Sequence, residues 1–130
     1  MTFHYTALIT VLCVLLQFCI GANVGRARGK FKIAAPATTG HPEFERVMRV
    51  QMNTVESTLM FLPVLWVFAF YFNDCCAAAL GAAWLVGRVL YAIGYQRDAS
   101  KRSVGFLIGI VAIAVLMLGD FFGVIRALLH

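Results

Sequence analysis

Arg46, Arg49, Asn53 and Glu56 recur at spacings of three and four residues. At about 100° per residue they fall within an arc of about 80°, so one helix face carries all four. Arginines offer planar forks for carboxylates, Glu56 accepts from an ammonium group, and Asn53 can do both jobs. The stripe opens a stretch that stays uncharged from Ser57 to Asn73. An ionisable cluster at membrane depth is costly, and by default it marks a functional site.

A second stripe, Arg88, Tyr91 and Tyr95, lies within about 60° of arc on a later segment, and Arg102 extends the same face if that helix continues through the polar stretch after it. The tyrosines donate to polar atoms while packing against apolar matter. Two such stripes facing one cleft suit a small zwitterion bearing several carboxylates, and a tripeptide such as glutathione fits that description. The competing reading is structural: Arg49 and Glu56 share a face and can neutralise each other as a tie between helices. Gln51 points about 140° away from Arg46, so within one subunit it cannot serve the same pocket, although it can face a neighbour's.

The elements that must position these groups follow from composition. The chain has 130 residues, 62% hydrophobic and 13% charged, against roughly 25% charged in a soluble domain. This composition predicts an integral membrane protein. Its net charge of +5 does not point to nucleic acid, because the cations cluster at the ends of apolar stretches, where they meet water and headgroups. Lys30, Lys32 and Lys101 read as topology anchors. The cysteines and histidines show no C-x-x-C or H-x-x-x-H spacing, which argues against a metal site.

Four helices are expected, at about 5–24, 44–72, 75–95 and 104–129. The uncharged run Tyr5 to Ala22 is long enough to cross a bilayer. Its positive residues follow it rather than precede it, which favours a span over a signal peptide. Gly25 to Glu45, with Pro36, Gly40 and Pro42, reads as a basic loop, and Pro63 as a kink in helix two. Ala and Gly in helix three allow close backbone approach in lipid. Basic first and third loops, with only Asp74 in the second, place loops one and three in the cytoplasm. Asp120 reads as a local cap or a tie between helices, and Arg126 as a snorkelling cation.

These residues together resemble the MAPEG family, the membrane-associated proteins of eicosanoid and glutathione metabolism. The resemblance runs through Ala27-Arg28, the segment Pro36 to Arg46, Arg49-x-Gln51-x-Asn53-x-x-Glu56, Leu65-Trp66, and Arg88-x-x-Tyr91-x-x-Gly94-Tyr95 followed by Arg97 and Arg102. It implies an all-α fold in which residues 1–130 form one transmembrane domain, a four-helix bundle subunit assembled as a homotrimer, with glutathione as co-substrate between subunits and no metal. Arg49, Asn53, Glu56, Arg88, Tyr91 and Tyr95 would line the glutathione site, Arg28 and Gln51 would come from the adjacent chain, and Arg102 would activate the thiol.

The implied activity is a membrane glutathione transferase acting on lipophilic electrophiles, with glutathione-dependent peroxidase activity toward lipid hydroperoxides as a further use of the site. A bacterial inner membrane and a eukaryotic endomembrane are equally compatible. Ser57 and Gly29 stand where the leukotriene C4 synthase branch has tyrosine and arginine, so leukotriene C4 is not the expected product. Met52 and Thr54 replace the charges of the prostaglandin E synthase branch. The intact Arg/Asn/Glu run separates the chain from the non-enzymatic lipoxygenase-activating branch. The alternative is a lipid-binding or scaffolding protein of the same fold. A small multidrug transporter would want an acidic residue in helix one, where Tyr5 to Ala22 has none.

Overall fold

The structure, a computed structural model, describes residues 2–98 and 102–130. It contains four helices: α1 (His4–Phe31), α2 (Pro42–Tyr71), α3 (Asp74–Arg97) and α4 (Ser103–Leu129). Each is long and apolar enough to cross a membrane, and the protein is an integral, multi-pass membrane protein. The expected Lys101 anchor lies outside the described residues.

Helix α1 corrects the expected boundary. It runs on past residue 24 to Phe31 and takes up the first third of the expected basic loop, with Arg26, Arg28 and Lys30. Gly25 and Gly29 do not break it, because Arg26, Ala27, Arg28 and Lys30 are good helix formers. It ends where Lys32 turns left-handed at φ 56°, its N–H returning to the Arg28 carbonyl, a common helix stop. Helix α2 is started by His41, whose Nδ1 accepts from the Glu43 N–H, with Pro42 in the first turn, and it continues through Pro63. Its 30 residues span about 45 Å at 1.5 Å per residue, against a hydrocarbon core of about 30 Å. Polar residues at its N-terminal end can therefore reach the headgroup layer.

Helix α3 starts on Asn73, whose Oδ1 accepts from the Cys76 N–H at 2.7 Å. Helices α2 and α3 form the centre of the bundle, each touching the other three. Between the helices lies a core of Ile9, Cys13, Phe61, Leu65, Phe68, Trp84 and Leu116. Phe61 and Trp84 stack with centroids 3.9 Å apart, and Trp84 Nε1 donates to Ser57 Oγ at 3.0 Å. The α3–α4 contact is closest at Gly105, where a Cβ would meet the Tyr91 backbone nitrogen and the Gly87 carbonyl oxygen. This small-residue contact brings α4 against the tyrosine-bearing end of α3. Large apolar side chains such as Val11, Phe18, Leu59, Leu107 and Phe121 point outward, as a lipid-facing surface requires.

Candidate functional site

The two polar stripes meet. Arg49 and Asn53 from α2, Tyr91 and Tyr95 from α3, and Arg102 with Phe106 from the start of α4 line an open cleft of about 420 Å³. Asn53 and Phe106 also line an adjoining cavity of about 210 Å³, together with Glu56, Ser57, Met60, Arg88 and Ile110. The site therefore grades from a basic, aromatic mouth to a floor that mixes Glu56 and Arg88 with apolar Met60 and Ile110.

Arg102 reaches the cleft from the start of α4 and not as an extension of the α3 face. Helix α3 does not continue through the polar stretch. It stops at Arg97, with Asp98 extended at φ −161°, ψ 127°, and Arg102 leads into α4 as its N-cap. Its guanidinium lies 5.8 Å above the Tyr95 ring. A cation at the N-terminal end of a helix adds to the positive end of the helix dipole, and the two together favour an anion there.

Arg88 is fixed in the wall rather than free in the mouth. Its Nη2 donates to Thr54 Oγ1 at 2.7 Å and its guanidinium sits 4.2 Å over the Tyr91 ring. Tyr91 and Tyr95 lie with centroids 5.5 Å apart. Arg88 Nε and Asn53 Oδ1 are buried without a hydrogen-bond partner among the described residues, a costly condition for groups facing a shared cavity. Arg49 and Glu56 are exposed, and among the described residues their side chains make no hydrogen bond or ion pair, with each other or with another group. The neutralising tie between them is therefore not made within the subunit. Arg46 serves structure, its Nε donating to the Gln96 carbonyl at 3.4 Å.

Two predicted site residues lie elsewhere on the same subunit. Gln51 faces α1, its Nε2 being 3.5 Å from where a Cβ on Gly21 would stand, in a groove with Cys13, Gln17 and Thr58. Arg28 folds over the loop after α1, donating to the carbonyls of Ile33 and Ala37, with its guanidinium 5.1 Å above Phe44. Phe106 was not anticipated, although its position four residues after Arg102 places it on the same helical face. Thr54 and Ser57 hold Arg88 and Trp84, a role with no sequence signal beyond small hydroxyls on an apolar helix.

Fold and site together define a membrane protein of four spanning helices with an arginine- and tyrosine-lined cleft at one end of the bundle. The family profile of the MAPEG family matches residues 6–122, and the chain belongs to that family. It is similar to microsomal glutathione S-transferase 2 of Homo sapiens, at 40% identity over 95% of this chain and 84% of that protein. It is likewise similar to leukotriene C4 synthase of Cavia porcellus, at 45% identity over 74% of this chain and 64% of that protein. An uncharacterized protein of Synechocystis is 51% identical over 88% of this chain and 84% of its own length.

Proposed function

We propose that the protein is a membrane-bound glutathione S-transferase, joining the thiolate of glutathione to a lipophilic electrophile that arrives from the bilayer. The observation that carries this reading is the convergence of Arg49, Asn53, Tyr91, Tyr95 and Arg102 on one open cleft. It is supported by the glutathione transferase named among the relatives. Arg49 takes a glutathione carboxylate, Glu56 its ammonium group, and Asn53 a peptide group. Arg28 and Gln51 sit on other faces of the subunit, so they join the site only from a neighbouring copy, which favours the homotrimer.

Chemistry follows from thiol acidity. A thiol of pKa about 8.5 is only a few per cent thiolate at neutral pH, and a neighbouring cation lowers that pKa. A shift of about two units amounts to about 2.7 kcal/mol of preferential thiolate stabilisation, which we assign to Arg102 with a tyrosine hydroxyl donating to the sulfur. The thiol proton passes to water at the open mouth. The sulfur lone pair then forms an S–C bond as the bond from that carbon to its leaving group, or to an epoxide oxygen, breaks, and the departing anion is protonated by water.

Ultraviolet difference absorption of the detergent-solubilised protein, titrated with glutathione beside Arg102→Ala, tests the reading. A saturable thiolate band that is lost in the variant is expected. Binding without thiolate would remove Arg102 from the mechanism, and no binding at all would favour the scaffold alternative.

A further inference from the structure

On the α1 side of the bundle, at the same end as the cleft, a second cavity of about 380 Å³ opens between α1, α2 and α3. Its polar lining is Asn23, Arg26, Lys30, Glu43, Gln96 and Arg97, and Val47 and Ile93 contribute to its apolar part. It shares no residue with the glutathione cleft. Lys30 and Glu43 approach each other at 3.8 Å and offset each other's charge, leaving two guanidinium groups. Arg26 is held in place by Asn23 Oδ1, which accepts from its Nε at 3.2 Å and its Nη2 at 2.9 Å, while its Nη1 donors have no partner among the described residues. Arg97 has no hydrogen-bond or ion-pair partner among the described residues.

Arg97 and Lys30 lie in the last turns of their helices, where a cation complements the helix dipole with no ligand. Arg26 does not fit that explanation, because α1 runs on beyond it to Phe31, more than a full turn, and the dipole effect fades within the last turn. We infer that Arg26 and Arg97 form a binding site for the phosphate of an anionic glycerophospholipid, one per subunit. Paired guanidinium forks suit a phosphodiester. The cavity sits at the ends of spanning helices, where headgroups lie. From it, the exposed apolar side chains of Ile93, Leu90 and Val86 run down α3 and offer a track for an acyl chain that a soluble anion would not use. Asn23 and Gln96 supply amides for headgroup hydroxyls. This site is independent of the transferase reading, and the α1–α3 face that bears it is neither the face of Gln51 nor that of the cleft.

The test is native mass spectrometry of the detergent-purified full chain, offered phosphatidylglycerol and phosphatidylcholine with the same acyl chains. The wild type is expected to retain one phosphatidylglycerol per subunit in preference to phosphatidylcholine, with R26Q/R97Q reducing that preference about thirtyfold, in line with the typical attraction of two interfacial arginines for anionic lipid. Excess glycerol 3-phosphate should leave the lipid in place. Equal retention of the two lipids, an undiminished preference in R26Q/R97Q, or displacement by glycerol 3-phosphate overturns the lipid site, the last revealing an aqueous anion site instead. If R26Q/R97Q loses its cooperative helical melt, the wild-type competition decides alone: indifference to headgroup overturns the site, and a preference that resists glycerol 3-phosphate sustains it.

Discussion

The guanidinium of Arg88 donates to Thr54 Oγ1 at 2.7 Å, with the arginine 2% and the threonine 1% exposed. This bond ties α3 to α2 through a buried charge. One turn away, Trp84 Nε1 binds Ser57 Oγ, so two polar rungs fix the rotation of α3. That rotation turns Tyr91 and Tyr95 toward Arg49 and Asn53.

Thr54→Val keeps the shape but removes the acceptor from a buried cation. It is expected to lower stability by about 2 kcal/mol, as for a hydrogen bond to a charged group, while Thr54→Ser restores most of the loss. Thermal melts in detergent read the difference. Identical melting of the valine variant and the wild type would remove this bond from the account of the fold.

How far the sequence showed the site depended on what each residue's position required. Arg49, Asn53 and Glu56 were legible because helical spacing alone puts them on one face, and the cleft lies on that face. The same arithmetic turned Gln51 away, toward α1. Arg102 extends the face of α3 only if that helix continues, and periodicity cannot tell whether a polar stretch of a few residues stays helical. The extended Asp98 ends the helix. The end of α1 was misplaced for a related reason: charged helix formers resemble a loop when hydropathy is the guide, yet they extend the helix beyond the membrane core. The cavity around Arg26 and Arg97 had no sequence signature, because its residues come from three helices with no common period.

Arg49 and Arg102 should separate in kinetics. Arg49→Ala removes a group that would hold the ground state and the transition state alike, so it is expected to raise KM for glutathione about tenfold with little change in kcat. Arg102→Ala, acting on the thiolate, is expected to lower kcat by about two orders of magnitude at neutral pH. Steady-state rates with a lipophilic electrophile distinguish the two. If both variants change only KM, the assignment of Arg102 to the sulfur fails.

Gly105 and Gly109 make a matched pair on α4. A Cβ at Gly105 would press on the backbone of α3 at Tyr91 and Gly87, whereas one at Gly109 would meet Arg88 Cδ at 3.7 Å and Trp84 Cδ1 at 3.8 Å, ordinary contact distances. Gly105→Ala is therefore expected to cost about 1–3 kcal/mol. It should also lower glutathione affinity, by pushing the Arg102 end of α4 away from Tyr91 and Tyr95. Gly109→Ala should leave both melting and binding near wild type. Equal behaviour of the two variants would contradict the close contact at Gly105.

At the opposite end of the bundle, Asp74 closes the start of α1 from the first residue of α3. Its Oδ2 accepts from the Tyr5 N–H at 2.9 Å and its Oδ1 from the Thr6 N–H at 2.7 Å. Helix α1 has no side-chain cap of its own, so these first-turn amides depend on a carboxylate from far along the chain. Asp74→Ala leaves both amides to water and removes the negative charge from the helix N-terminus. Asp74→Asn keeps one oxygen acceptor and should melt between the alanine variant and the wild type. Hydrogen exchange should quicken at Tyr5 and Thr6 in the alanine variant, while the proposed binding of glutathione at the far end stays unchanged. Unaltered exchange at these two amides would mean that α1 is held by its packing against α2 and α3 alone.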